Sequence, residues 1–91
     1  MIILKNKDEI EEIRCASQVV IEVLQALKDE AKPGISTWDL NAIAEEMTAR
    51  RDSKPAFKGY RNYPASICCA VNDEVVHGIP SKNKILKEGD I

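Results

Sequence analysis

The side chains best suited to chemistry crowd into the last third of this 91-residue chain. They are the one histidine, His77, both tyrosines, Tyr60 and Tyr63, the one phenylalanine, Phe57, and two of the three cysteines, Cys68 and Cys69. Neutral imidazole donates or accepts a proton near pH 7, so His77, set before Gly78 where a ligand can approach the backbone, suits a polar contact in a cleft. With no second histidine there is no paired-histidine metal motif. Cys68 and Cys69 with His77 admit two chemical readings, a thiolate nucleophile or a zinc site. Zinc needs four ligands, and the paired Cys-x-x-Cys spacing is missing; a nucleophilic cysteine needs the imidazole beside it and an electropositive setting. Adjacent strand residues face opposite ways, so at most one of the two thiols shares a face with a given neighbour. The plainer reading, small buried hydrophobes, outweighs both. Phe57, Tyr60, Tyr63 and Cys68 can line an apolar pocket with polar tips. Such a pocket suits a flexible thioether, since sulfur–aromatic contacts are worth about 0.3–1.5 kcal/mol each. Aromatic residues covering a small sheet would be spaced the same way.

The elements that must position these residues are legible from periodicity. Residues 6–32 read as a helix: Asn6 caps it, Glu9 completes a capping-box pattern, and Ile10, Ile13, Ala16, Val20, Val23, Leu24, Leu27 and Ala31 recur at three- and four-residue steps. Lys32-Pro33-Gly34 ends it. A second helix is predicted over 37–51, with Ser36 as cap, Asp39 at the third position, and Leu40, Ile43, Ala44 and Met47 as its buried stripe. After Asp52-Ser53-Lys54-Pro55 the pattern alternates, so residues 66–77 are predicted to form a β-hairpin turning at Asn72-Asp73. Lys87-Glu88-Gly89-Asp90 reads as a turn into a third strand at Ile91. The expected fold is therefore α+β, one domain over 1–91, with two N-terminal helices packed on a small antiparallel sheet. An unpaired sheet edge would invite a homodimer. Asp73, Glu74, Glu88 and Asp90 fall in turns and read as solvated.

Bulk properties narrow the classes further. The 31% charged and 44% apolar residues fit an ordinary globular domain. No apolar run approaches the roughly 20 residues needed to cross a bilayer. An odd cysteine count with two adjacent cysteines suits reduced thiols in a cytoplasmic setting. Residues 1–50 carry six basic and ten acidic side chains, and residues 51–91 carry seven and five. The cluster Arg50, Arg51, Lys54, Lys58 and Arg61 could meet phosphate, but a local excess of two charges falls far short of a nucleic-acid footprint. No membrane and no specific nucleic-acid partner is expected.

Several phrases carry a family resemblance: Lys54-Pro55-Ala56-Phe57-Lys58-Gly59-Tyr60, Tyr63-Pro64, Ser66-Ile67-Cys68, Val71-Asn72-Asp73-Glu74-Val75-Val76-His77-Gly78-Ile79-Pro80 and Leu86-Lys87-Glu88-Gly89-Asp90-Ile91. With these the chain resembles, over its whole length, the type I methionine aminopeptidases of the pita-bread metallopeptidase family. The resemblance implies removal of the initiator methionine from new polypeptides, so the partner would be the N-terminal methionine of a peptide. It implies two divalent metal ions (cobalt, manganese, iron or zinc) that activate a bridging water. It makes His77 the catalytic contact to the substrate amide, and Phe57, Tyr60, Tyr63 and Cys68 the methionine pocket. Asn62 departs from the glycine many relatives carry between the tyrosines. The family's five metal ligands fall after the Gly-Asp-Ile block. The expectation is thus an N-terminal portion of the pita-bread fold with no metal ligand of its own and no activity alone.

Overall fold

Asn6 starts the first helix because its side-chain oxygen accepts the Glu9 N–H at 2.8 Å while the Glu9 carboxylate accepts the Asn6 N–H at 2.9 Å. This reciprocal box satisfies two of the groups that a helix start leaves open. The helix, α1, spans Lys7–Glu30 in the computed structural model, which describes all 91 residues. The chain then leaves through Ala31-Lys32-Pro33, and Gly34 takes φ 98°, a left-handed turn open to glycine. A second box, Ser36 with Asp39, has both bonds at 3.0 Å and opens α2, Thr37–Arg50. An ion pair between Arg51 and Glu22 ties the end of α2 to the middle of α1. Both predicted helices and both caps are present, the first two residues and the second one residue shorter than expected at the C-terminal end.

The predicted sheet is not formed, and the α+β assignment is corrected. After Arg51 the chain holds one 3-10 turn, α3, at Tyr60–Asn62, and otherwise irregular backbone without a strand. Within residues 66–77 the reason is local. Asn72 and His77 adopt φ 55° and 53°, left-handed conformations that an extended ladder does not contain. One main-chain bond, Cys69 N–H to Gly78 C=O at 2.7 Å, closes the loop between them. A two-stranded ribbon is marginal in water even with a full ladder, and one bond is not a ladder. The sheet edge invoked for a homodimer is therefore absent too.

Pairing occurs elsewhere. The link between the helices lies against residues 84–86, with Gly34 N–H to Leu86 C=O and Leu86 N–H to Ile35 C=O both at 2.8 Å, around a single antiparallel bridge between Ser36 and Ile85. Eleven residues are buried, and the apolar ones are Val23, Leu40, Ala44, Ala65 and Val71. Of the apolar face of α1, only Val23 is buried, while Ile10, Ile13, Val20 and Leu24 stay more than half exposed. The accessible surface is 7294 Å², against about 5300 Å² for a compact monomer of this mass. The radius of gyration is 15.0 Å, against about 12 Å for a compact 91-residue domain. The fold is an open one, with α1 as an outrigger.

Candidate functional site

Phe57 to Tyr63 form a tight loop because three main-chain bonds close it. Tyr60 N–H reaches Phe57 C=O at 3.0 Å, Tyr63 N–H reaches Tyr60 C=O at 2.9 Å, and Gly59 N–H reaches Tyr63 C=O at 2.8 Å. The turn needs left-handed backbone at Gly59, Arg61 and Asn62, with φ 81°, 48° and 65°. Glycine takes it freely and asparagine tolerates it, so Asn62 fits the left-handed position it occupies. Lys58 forms an ion pair with Glu45 and so pins the loop to α2. That bond is the first cause holding the Glu45 carboxyl below its usual range.

The closure brings three of the pocket candidates together. The rings of Phe57 and Tyr63 meet edge to face, 6.3 Å between centroids at 74°, the arrangement that their quadrupoles favour. The Tyr63 hydroxyl donates to the Ile67 carbonyl at 2.9 Å. Burial first, and the Cys68 thiol beside it second, push Tyr63 up to about 12. The hydroxyl thus stays protonated and stays a donor throughout the physiological range. Cys68 is half-buried. Tyr60 is exposed, its ring covered by the Arg61 guanidinium 5.3 Å from the centroid, a cation–π contact.

His77 is exposed and its imidazole makes no hydrogen bond within the chain. What it has is a strained backbone, left-handed without being glycine, of the kind held in place only when its surroundings over-determine it. The surroundings are Gly78, which is buried against the Cys69 carbonyl, and the exposed Val75, Val76 and Ile79 beside it. Cys69 lines an open hollow of about 380 Å³ with Leu40, Val71 and Leu86. Burial, then the Glu74 carboxylate, push its thiol up, which makes it a poor nucleophile at neutral pH. All three cysteines are unpaired.

Two residues that position the site escaped the pattern-based reading. Asn41, only 1% exposed, accepts the Ser66 N–H at 2.7 Å and the Ile67 N–H at 3.3 Å. Thr37 exchanges hydrogen bonds with the main chain of Ser81, at 2.9 and 3.3 Å. The signal was available: both share a face of α2 with Leu40 and Ala44. The basic cluster is largely spent internally, Arg50 on Glu46, Arg51 on Glu22 and Lys58 on Glu45. No group of three or more His, Cys, Asp or Glu side chains converges in a way that could hold a metal ion. The residues present do not make a dinuclear site. No helix is long and apolar enough to cross a membrane.

Comparison with known proteins gives a consistent picture. The family model described as Metallopeptidase family M24 matches residues 11–91. The methionine aminopeptidase of Aquifex aeolicus is 52% identical over 94 residues, covering 97% of this chain and 36% of its own length. That of Clostridium acetobutylicum is also 52% identical, covering all of this chain and again 36% of its own. A crystal structure of methionine aminopeptidase from Thermotoga maritima superposes over the whole chain with a TM-score of 0.97 at 42% identity, using 36% of that chain. The chain thus spans about a third of the length of the relatives it matches, and its irregular backbone after Arg51 matches part of a larger solved fold.

Proposed function

This chain belongs to metallopeptidase family M24, and on that premise we propose that it is the substrate-gripping part of a methionine aminopeptidase, acting in the cytoplasm on peptides that begin with methionine. The observation that carries the reading is the match, at 52% identity over 97–100% of the chain, to proteins of that name. The site geometry supports it. The edge of Phe57 on Tyr63, with the Cys68 thiol alongside, offers the soft, apolar contacts that a thioether side chain prefers, and Tyr60 stands exposed on the same loop. His77, exposed and free of internal hydrogen bonds, can meet the peptide group next to a bound methionine as donor or acceptor. Divalent metal ions would supply the activated water in such an enzyme. The 91 residues alone offer no set of ligands for them, so they bind and orient but do not hydrolyse.

The test has two arms. The 91-residue chain is expected to release no methionine from a Met-Ala peptide with cobalt or manganese added, and turnover would refute the division of labour. A chimera with these residues in place of the matching third of the Aquifex aeolicus enzyme is expected to be active. A folded, inactive chimera would overturn the assignment.

A further inference from the structure

Asn72 does something that its place in a turn does not require. Its own N–H donates to the Ile91 main-chain oxygen at 2.6 Å. The return bond of an antiparallel pair would run from Ile91 N–H to the Asn72 carbonyl. Instead Ile91 N–H goes to the side-chain oxygen of Asn72, at 3.0 Å. With φ at 55° the Asn72 main chain turns away, and the carboxamide takes the place of the missing peptide group. The other half of the amide is used as well, its nitrogen donating to one Asp90 carboxylate oxygen at 3.0 Å. The second Asp90 oxygen accepts the Lys87 N–H at 2.8 Å, closing the turn at 87–90. Both ends of one carboxamide are therefore matched, acceptor to Ile91 and donor to Asp90, a combination that neither aspartate nor glycine can supply.

From this we infer that Asn72 is a positioning residue, whose side chain impersonates a peptide unit to fix the backbone at Asp90–Ile91 against the loop that carries His77. The loop is held at its other end by the Cys69–Gly78 bond and in between at Glu74, whose N–H reaches the Val71 carbonyl at 3.1 Å and whose carboxylate pairs with Lys84 at 3.6 Å. Any backbone continuing from Ile91 is thereby set in register with the imidazole. This catalytic consequence rests on the methionine aminopeptidase reading; the clamp itself does not.

The deciding variant is Asn72→Gly, which keeps the left-handed backbone without steric cost and deletes only the amide. If Asn72 serves merely to turn the chain, the variant equals or exceeds the parent. If it clamps, hydrogen-exchange protection of the Ile91 amide in the 91-residue chain falls about three- to tenfold, the worth of one such bond. The Asp90 carboxyl, held low first by the Asn72 amide and surrounded otherwise by Lys84 and Lys87, then titrates at higher pH by NMR. In Asn72→Asp the new carboxylate faces Asp90, and the two can share a proton, so protection of Ile91 returns on acidification. In the active chimera, Asn72→Gly is expected to lower kcat about tenfold or more while KM changes little, as for misplacement of a reacting group. Unchanged Ile91 protection and Asp90 titration in Asn72→Gly would overturn the clamp, and an unchanged kcat would overturn the positioning role. A parent chimera without activity refutes the functional reading instead, and leaves the exchange and titration measurements to decide the clamp.

Discussion

Replacing Gly78 by alanine tests the one glycine of the four that has no room for a side chain. A Cβ built there lies 2.3 Å from the Cys69 carbonyl oxygen, 2.7 Å from its carbon and 2.7 Å from a Glu74 carboxylate oxygen. Glu74 is a flexible side chain and can move. The Cys69 carbonyl is backbone and cannot, except by opening the loop by about 1 Å to reach normal contact distance. That opening stretches the 2.7 Å bond from Cys69 N–H to Gly78 C=O out of hydrogen-bond range. Overpacking of about 1–3 kcal/mol and a lost bond of about 0.5–1.5 kcal/mol together cost about 1.5–4.5 kcal/mol. In a domain of this size each kcal/mol moves Tm by about 4–8 °C, so Gly78→Ala should melt at least about 6 °C lower by circular dichroism. Glu74→Ala in the same background separates the causes. If the backbone contact dominates, the double variant recovers little. A Gly78→Ala protein with Tm unchanged, or one fully rescued by Glu74→Ala, would refute the close-approach argument. Because His77 is the next residue, the loss should also weaken inhibition of the active chimera by methionine-like ligands.

Three further outcomes follow from the geometry. Asn41→Ala leaves the Ser66 and Ile67 N–H groups without their acceptor in a buried place, and should cost about 1–3 kcal/mol in urea unfolding; a change below 0.5 (taking about 0.5 kcal/mol as the floor for a hydrogen bond) would contradict the assigned bonds. Tyr63→Phe removes the bond to Ile67, and in the parent the Tyr63 phenolate should appear in ultraviolet titration only near pH 12. Its raised value means that the stabilisation is complete below the ordinary tyrosine range and lost as pH rises through about 12; ionisation at the ordinary value would refute the burial. Glu45, Asp39 and Asp90 all titrate below their ordinary values, through Lys58, Ser36 and Asn72 first, respectively. Their stabilisation is therefore present above the usual carboxylate range and lost as pH falls through the lower folded values, so the urea midpoint should drop on acidification, less steeply in Lys58→Ala.

The two helices were legible because what makes them is local. Asn6 with Glu9 and Ser36 with Asp39 are boxes three residues long, and Pro33-Gly34 stops the first helix within its own sequence. The hairpin was misread because alternation in Ser66–Val71 and Glu74–His77 describes side chains, while the backbone at Asn72 and His77 had already left the extended region. Loops rather than a sheet pack on α2, and loop backbones need hydrogen-bond partners. That is why Asn41 and Thr37, polar residues on the Leu40–Ala44 face of α2, are the most buried large side chains. The sequence grouped Phe57, Tyr60, Tyr63 and Cys68; in the structure Phe57, Tyr63 and Cys68 lie together and Tyr60 is exposed. The use of the first Asp90 oxygen could not be seen from spacing because its donor, Asn72, lies 18 residues away, whereas the second is taken by Lys87 within the same turn.

The uncovered stripe on α1 changes how this protein should be assayed. Dyes such as ANS, which brighten on apolar surface, are usually taken to report loosened, partly unfolded states. Here Ile10, Ile13, Val20 and Leu24 present such a surface on an intact, capped helix. Dye binding would be strongest when the helix is formed and would fade as it melts, so the fluorescence of a thermal scan should run opposite to its customary direction.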